Sequence, residues 1–394
     1  MIRAATAHSE SNSISKAAEQ ACHTALAKAK IQSADIAFVF TTCHEPQKHE
    51  TLLQTISRVT GAKNIIGSSA YGVITEEAEL ESDHAVAIML VASDFIECTP
   101  FLMKNLQESS LTVGRNIGDL IRGECLLPSF LMLLPDAFSF QSHMFFDGFE
   151  QAYGYLPMIG GISSEHEMDQ KVYQFMGKEA TYDAIAGAIF GGNLRVTSGI
   201  TQSCQPFGEP LQITRATGNE IYEMNGRPAY DIFLEHVSKI ESGNPEQAFQ
   251  NVFLGLPTRS FQTDFAESHY LIRNILSVNA KKGMLSCAAP VEQGDFVTFT
   301  VRDPKGARQN MTNMLDNLKH RVEPDKPDFG FYFNFCTRGQ TLYGEANQDI
   351  SMIRKFFPDV PIIGFFTYGE LAPLDYVNHL HHYSGVLSLV SHNR

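Results

Sequence analysis

Several features that mark other classes of protein are missing from this sequence. No run of lysine and arginine is longer than a pair, and 44 acidic side chains outweigh 30 basic ones to give a net charge of −14. A chain with this charge is repelled by a phosphate backbone, so we expect no nucleic-acid partner. The longest unbroken apolar segment covers only residues 85–92, whereas a helix that crosses a bilayer needs about 20 residues. We therefore expect no membrane insertion.

The cysteines and the N-terminus indicate a cellular compartment. The seven cysteines are scattered and form no CxxC pair, which is typical of a protein in a reducing environment. The absence of CxxCH excludes covalent attachment of a c-type haem. The first residues are mostly polar and lack the apolar segment of a secretory signal. The sequence predicts a cytoplasmic protein with free thiols.

One pattern occurs three times along the chain. It consists of a short apolar strand, a helical segment, a second strand that ends in glycine, and a further apolar strand. The first strands end at Phe40, Leu134 and Phe335, and the second strands end at Gly67, Gly160 and Gly364. The first and third copies place a tyrosine four residues after this glycine, at Tyr71 and Tyr368. The middle copy reads GGISSE instead, so we expect it to be structural.

The region between the second and third copies has a different pattern. An Asn225-Gly226 turn precedes an amphipathic helix that starts near Pro228, and antiparallel strands follow. The segment 204–210 has the composition of a linker. We predict an α/β (mixed α+β) fold with two domains, residues 1–208 and 209–394, each a mixed sheet covered by helices.

Polar side chains follow two strands of the third copy. Asn334, Cys336 and Arg338 come at the end of one strand, and Glu370 follows the next. If the two strands are neighbours in the sheet, Arg338 and Glu370 lie at the same edge, where ligands bind in open α/β sheets. The alternative is an ion pair between these two residues that closes the domain without a ligand.

The same segments resemble a known family. NFCTRGQTLYG, FFPDVPIIGFFTYGELAP and NHLHHYSGVLSL are similar to the C-terminal half of FIST-domain proteins, and IIGSSAYGVIT is similar to the N-terminal half. The resemblance implies a FIST N domain over 1–208, a FIST C domain over 209–394, and an intracellular sensory module that binds small ligands such as amino acids. Some bacterial members with this stand-alone architecture are haem-binding nitric oxide sensors that control a histidine kinase. No kinase, cyclase or F-box segment flanks the pair here, so a separate protein is expected to carry the output.

We expect a small ligand to bind at the end of the third copy. Arg338 would hold a carboxylate through two hydrogen bonds and Glu370 would pair with an ammonium, which suits an amino acid or a similar zwitterion. From the residues and the resemblance together, the predicted ligand-binding residues are Asn334, Arg338, Gly339, Tyr343, Gly364, Tyr368, Gly369, Glu370, Asn378 and His381. The resemblance adds Gly344 at the same turn.

Two other functions fit parts of the sequence. A haem sensor needs an axial ligand, and His236 on the amphipathic helix is the candidate, with His269 and His381 in reserve; a satisfied core or surface histidine is the simpler interpretation of His236. A thiol enzyme would use Cys336 with His381 or His382 as base, although free cysteine is often a small buried apolar residue. A metal site at HLHHY is disfavoured because strand alternation separates adjacent histidines. A sensor without catalytic activity is the main prediction.

Overall fold

The computed structural model describes residues 1–124, 127–165, 171–240, 251–258 and 270–392. It divides into two compact units. The first comprises Met1–Ile200, Thr312–Leu380 and Ser384–Arg394, and the second comprises Thr201–Met311 and His381–Tyr383. Each unit therefore contains residues from both predicted domains, 1–208 and 209–394.

The first unit is built from three copies of one arrangement of strands and helices. The first copy contains β1 (Arg3–Ser9), α1 (Ile14–Ala29), β2 (Ile36–Thr41), α2 (Pro46–Thr60), β3 (Asn64–Ser69), β4 (Val73–Thr75), β5 (Glu79–Leu80) and β6 (Val86–Ala92). The second contains β7 (Glu97–Lys104), α3 (Ser110–Gly123), β8 (Phe130–Pro135), α4 (Ser142–Ala152), β9 (Met158–Gly161), β10 (Gln174–Met176), β11 (Glu179–Thr181) and β12 (Ala184–Gly191). The predicted repeat is confirmed, and β1, which the sequence analysis did not predict, belongs to it.

The third copy is interrupted after its first strand. It contains β13 (Leu194–Gln202), then, beyond the interruption, α6 (Pro304–Val322), β21 (Phe329–Phe335), α7 (Gly339–Tyr343), α8 (Gln348–Phe356), β22 (Ile362–Thr367), β23 (Glu370–Leu374), β24 (Val377–His381) and β25 (Ser384–His392). The interruption contains β14 (Cys204–Thr217), β15 (Glu220–Met224), β16 (Arg227–Pro228), α5 (Ala229–Val237), β17 (Val252–Pro257), β18 (Tyr270–Asn279), β19 (Met284–Cys287) and β20 (Phe296–Arg302). The second unit is thus largely an insertion in the third copy.

The three copies exchange hairpins in a cycle. Within each copy the two strands joined by a helix pair in parallel, and the last strand pairs antiparallel to the first of them. The hairpin that begins with β4 then joins the third sheet beside β22, the β10 hairpin joins the first sheet beside β3, and the β23 hairpin joins the second sheet beside β9. Each sheet therefore depends on a strand from another copy, which links the three copies into one unit.

The recurring strand glycines allow close backbone approach. Gly67, Gly160 and Gly364 lie opposite β2, β8 and β21, the parallel partner strand in each copy. A Cβ placed on them would come within 1.8, 1.9 and 1.6 Å of a carbonyl oxygen on that strand. No other residue fits without moving the strands apart, so the glycine has a structural role in all three copies.

An aromatic core lies between the three sheets. Strand alternation directs Phe38, Phe130, Phe331 and Phe365 to this core, where all four are fully buried. The rings of Phe38 and Phe331 meet edge to face with centroids 4.9 Å apart. Burying one such side chain stabilises a fold by about 2–3 kcal/mol, so the contacts between copies are a main source of stability.

In the second unit, seven strands are ordered β14-β20-β17-β18-β19-β15-β16 among the described residues. The predicted turn is confirmed, since Asn225 and Gly226 both have positive φ (47° and 74°), as a type I′ hairpin turn requires. The predicted linker at 204–210 is wrong: these residues lie in β14, and the first four of them pair with β20. Proline and glycine are tolerated there because the register is irregular between Phe207 and Leu211.

Candidate functional site

Three equivalent segments meet at the carboxyl ends of the parallel strands of the first unit. Four residues after each strand glycine stand Tyr71, Ser164 and Tyr368. The backbone N–H of Tyr71 donates to Ser164 Oγ (2.9 Å), and the N–H of Tyr368 donates to the carbonyl of Ile162 (3.1 Å). We name the polar residues gathered here the strand-end site: Tyr71, Glu81, Ser164, Glu165, Cys336 and Tyr368.

The strand-end site combines half-buried phenols with acidic groups. The hydroxyl of Tyr368 donates to the carbonyl of Glu165 (3.3 Å), a residue that is only 3% exposed. Burial, together with the neighbouring Cys336 and Glu165, raises the pKa of Tyr368 to about 12. Burial and then the charge of Glu81 raise the pKa of Tyr71. Both phenols are therefore neutral at physiological pH and can donate or accept hydrogen bonds.

A close backbone approach fixes Glu81 in this site. Its Oε1 atom accepts the N–H of Gln340 (2.9 Å) at the start of α7. A Cβ on Gly339 would lie 2.4 Å from the same oxygen and 2.7 Å from the ring of Phe366. The predicted site residue Gly339 is thus needed for this approach.

A buried polar layer adjoins the strand-end site at Ser163, the residue before Ser164. Gln174 and Ser68 are cross-strand partners in the β3–β10 pair, and Gln174 Nε2 donates to Ser163 Oγ (3.0 Å), next to Ser164 in sequence. Ser68 and Gln174 are fully buried. Among the described residues, Ser68 Oγ and Gln174 Oε1 have no hydrogen-bond partner. We name Ser68, Ser163 and Gln174 the floor of the site.

Arg338 lies in a separate, fully buried network. Its Nε donates to Asp349 Oδ2 (2.8 Å) and its Nη2 donates to Asp349 Oδ1 (3.3 Å) and to the hydroxyl of Tyr343 (2.9 Å). The hydroxyls of Tyr332 and Tyr343 and the amide of Asn334 also donate to Asp349. Burial, the largest single effect, would lower the pKa of Arg338, but Asp349, Tyr343 and Tyr332 together outweigh it and raise the pKa well above the ordinary value. The network orders this part of the third copy around a buried charge pair.

Glu370 has different partners from those expected. The strands β21 and β22 are parallel neighbours, as predicted. However, the described partners of the buried Glu370 carboxyl are the hydroxyls of Thr367 and Ser384, which donate to it. Burial raises its pKa to about 8, against the weaker lowering effect of the nearby Arg338. The described contacts thus pair Arg338 with Asp349 and leave Glu370 as a hydroxyl-bonded acid.

A further buried carboxyl approaches the network from another copy. Glu79, in β5, accepts the backbone N–H of Ile350 (3.1 Å). Burial, and then the negative charge of Asp349, raises its pKa to about 8. Neither Asp349 nor Glu79 was predicted from the sequence. Asp349 stands in the first turn of α8. An acidic residue at this position usually stabilises the N-terminus of a helix in contact with solvent, so nothing in the sequence indicates that it is buried.

The other predicted residues are dispersed. Asn378 holds the backbone at β9, since its Oδ1 accepts the N–H of Met158 (2.9 Å) and its Nδ2 donates to the carbonyl of Leu156 (2.9 Å). The carbonyl of Gly369 accepts the N–H of Ile162 (2.8 Å), beside Tyr368 in the strand-end site. His381 is buried at the end of β24 and is assigned to the second unit. Of the predicted ligand-binding side chains, only Tyr368 lies in the strand-end site.

His236 does not fit the role of haem axial ligand. Its Nδ1 lies 2.8 Å from the carbonyl of Ile232, and its ring packs against Phe207 and Phe299. The edge that carries Nε2 faces Gly208, where a Cβ would come within 2.7 Å of that nitrogen. A haem iron at Nε2 would require the β14 backbone to move, so the interpretation as a core histidine is favoured. The reserve ligand His269 lies outside the described residues.

The described part of the chain gives little support to metal or thiol chemistry. It contains no group of three or more histidine, cysteine or acidic side chains arranged to hold a metal ion. Cys336 is half buried and precedes α7, a helix of five residues, which is too short for a strong N-terminal dipole. Burial and the charge of Arg273 lower the pKa of His382 to about 3, so this imidazole is a poor base.

A surface cleft lies at the opposite edge of the first unit, near the beginnings of β1, β21 and β22. It has a volume of about 350 Å³. Its lysines are engaged in ion pairs, Lys28 with Glu77 (2.7 Å) and Lys326 with Asp359 (3.4 Å). None of the described helices is long and apolar enough to cross a membrane.

Comparison with known proteins identifies relatives of the whole chain. Uncharacterized proteins of Mycobacterium tuberculosis are 26% identical over 338 residues, which is 86% of each chain. An uncharacterized protein of Methanocaldococcus jannaschii is 23% identical over 359 residues, covering 84% of this chain and 65% of the relative. Among solved structures, cyanuric acid hydrolase from A. caulinodans aligns over all of both chains with 9% identity and a TM-score of 0.37.

Family models account for most of the sequence. The FIST N domain matches residues 35–227 and the FIST C domain matches residues 229–373. Domains of this family are generally sensory domains of signal transduction that bind small ligands. The chain belongs to the FIST family.

Proposed function

We propose that this protein is a sensor without catalytic activity of its own, which binds a small molecule at the strand-end site and signals to a separate partner protein. The observation that carries the proposal is the convergence of Tyr71, Ser164 and Tyr368 from three copies of one motif at the carboxyl ends of parallel strands. This edge is the usual ligand position in α/β sheets. The unsatisfied atoms of the floor, which adjoins the site at Ser163, support the same position.

The hairpin exchange offers a way to transmit binding. Each of the three segments at the site is followed by a hairpin that completes another sheet. The hairpin starts two residues after Tyr71 and Tyr368 and ten residues after Ser164. A ligand that draws these segments together would shift all three hairpins relative to the sheets they join. A partner that contacts one hairpin would then detect occupancy of the site.

The proposal includes a cytoplasmic location. Cys22, Cys43, Cys98 and Cys287 are free thiols, and burial raises their pKa values. Thiols of this kind persist in a reducing compartment. They are too basic to act as nucleophiles at neutral pH, in keeping with a non-catalytic protein.

A thermal-shift screen of small metabolites, followed by calorimetry, tests the proposal. For a compound that binds, Tyr71→Phe and Tyr368→Phe should each weaken affinity by about 3–10-fold, because each removes one hydrogen bond worth about 1 kcal/mol. The control is Tyr376→Phe, since Tyr376 is 86% exposed and stands in the turn between β23 and β24, outside the strand-end site. Affinity unchanged in both site variants would contradict the proposed site, and conversion of the bound compound, followed by NMR, would contradict the non-catalytic role.

A further inference from the structure

A carboxyl group of the first copy caps a helix of the third copy. Among the described contacts, Asn347, the residue before α8, makes no side-chain hydrogen bond to this helix. Instead, Glu79 Oε1 accepts the N–H of Ile350 (3.1 Å) in the first turn of α8, and Asn347 Oδ1 accepts the N–H of Glu79 (2.6 Å). Two reciprocal hydrogen bonds of this kind form a capping box within one chain segment. Here they join β5 to the start of α8, and we name Glu79, Asn347 and Ile350 the clasp.

The clasp is the main polar attachment of a very short edge strand. Strand β5 contains only Glu79 and Leu80, and among the described strands it pairs with β4 alone. Directly after β5, Glu81 accepts the N–H of Gln340 at the start of α7 (2.9 Å). Glu81 belongs to the strand-end site. A displacement of β5 from α8 would therefore reach that site through Glu81.

Two acidic side chains share the buried space at the clasp. Asp349 is fully buried and accepts five hydrogen bonds, which come from Tyr332, Asn334, Tyr343 and two nitrogens of Arg338. So many donors stabilise its ionised form. Glu79 is only 5% exposed, and a second buried negative charge beside Asp349 is unfavourable. Burial, and then the charge of Asp349, accordingly raises the pKa of Glu79 to about 8.

The other groups around Glu79 do not reverse this effect. Glu81 also raises the pKa of Glu79, whereas the N–H of Ile350 and the charge of Arg338 lower it less than burial and Asp349 raise it. Tyr332 on β21 and Tyr343 on α7 also interact with Glu79, and their own raised pKa values keep them neutral at physiological pH. The clasp therefore holds a neutral acid at neutral and acidic pH.

We propose that Glu79 is a proton-dependent link between the first and third copies: the neutral acid holds β5 against α8, and the carboxylate releases β5 and loosens Glu81 in the strand-end site. The released side chain lies in water and has the ordinary pKa of 4.5, whereas the held side chain has a pKa of about 8. The held form is therefore most favoured below about pH 4.5, and it loses this advantage as the pH rises to about 8. The inference goes beyond the proposed function, since it requires no ligand.

Hydrogen exchange of backbone amides in the full-length protein, followed by NMR, tests the inference. The protection of an amide is its exchange rate in the unfolded chain divided by its measured rate at the same pH. We expect the protection of the Ile350 and Glu79 amides to fall at least about 10-fold between pH 6 and pH 8. The Gly330 amide, which donates to the carbonyl of Pro361 in the same copy (2.9 Å), is the reference and should change little.

Two variants identify the titrating group. Glu79→Gln keeps an acceptor oxygen and cannot ionise, so the protection of Ile350 should stay constant within about 3-fold from pH 6 to pH 8. Glu345→Gln changes an exposed acid shortly before α8 and should show the same fall as the wild type. Thermal unfolding of each variant shows whether it has folded.

Four results would contradict the inference. Constant protection of Ile350 in the wild type would overturn it, whether or not Glu79→Gln folds. An equal fall in Glu79→Gln would assign the pH dependence to another group. An equal fall at Gly330 would mean that the whole third copy loses stability and that β5 is not released on its own. The Gln340 amide, which donates to Glu81, should lose protection together with Ile350; if it does not, the release does not reach the strand-end site.

Discussion

Replacing Glu370 by glutamine should make the protein less sensitive to alkaline pH. The carboxyl is fully buried, and its hydrogen bonds come from the hydroxyls of Thr367 and Ser384. Burial raises its pKa from 4.5 to about 8, so the folded protein holds a proton there that the unfolded chain releases. Glutamine has nearly the same shape as the protonated acid and cannot ionise.

The sign and size of the effect follow from this pKa. A raised pKa contributes stability that is fully present below about pH 4.5 and is lost as the pH rises through about 8. One pKa unit corresponds to about 1.4 kcal/mol, so the shift from 4.5 to about 8 corresponds to roughly 5 kcal/mol. We expect the free energy of unfolding of Glu370→Gln to equal that of the wild type within about 1 kcal/mol at pH 5 and to exceed it by at least about 2 kcal/mol at pH 9.

Urea denaturation from pH 5 to pH 9 measures this difference. The quantity of interest is the free energy of unfolding of the variant minus that of the wild type, because other titrating groups such as Glu79 cancel in it. Glu345→Gln, an exposed control, should show a flat difference near zero. A pH-independent difference for Glu370→Gln would refute the raised pKa. If the variant is less stable than the wild type at pH 9, the ionised Glu370 carboxylate stabilises the fold through its interaction with the nearby Arg338.

Three further perturbations test the buried network, the strand glycines and the haem hypothesis. Asp349→Asn should lower the free energy of unfolding, measured by urea denaturation, by about 3–5 kcal/mol, because it removes the carboxylate that pairs with a buried guanidinium. The exposed control Asp359→Asn should lower it by less than about 1 kcal/mol. Equal losses in the two variants would contradict a structural role of the network. Gly364→Ala should prevent folding or cost several kcal/mol, because its Cβ would lie 1.6 Å from a carbonyl oxygen; Gly123→Ala, with open space around it, should retain the wild-type melting temperature. After addition of haem and reduction, His236→Ala should give the same visible spectrum as the wild type with and without nitric oxide, and a band lost only in the variant would restore the haem hypothesis.

The repeat was predictable because backbone packing leaves a local trace. A glycine within the second strand of each parallel pair is required wherever two parallel backbones come this close, and the helix between the strands fixes the spacing. The position of Ser164 was also accessible, since it stands four residues after Gly160 as the tyrosines do after theirs. Its role was missed because serine in a loop has many ordinary explanations.

The partner of Arg338 was not predictable in the same way. Asp349 lies 11 residues further along, on a helix whose periodicity gives no reason to bury an acid. Glu79 reaches the network only because a hairpin of the first copy joins the sheet of the third. Exchange of hairpins between copies leaves no local pattern, since each hairpin would satisfy its hydrogen bonds equally well on its own sheet.

The sequence by itself determined the repeated strand-helix-strand pattern, its glycines, the turn at Asn225 and Gly226 and the membership of the FIST family, because each of these depends on local spacing or on motif similarity. Only the tertiary structure decided which copy completes which sheet, that the second unit is inserted in the third copy, and which charges are neighbours. Those outcomes depend on contacts between residues far apart in the chain. For this reason the sequence directed attention to Arg338 and Glu370, whereas the folded chain gathers half-buried polar groups around Tyr71, Ser164 and Tyr368.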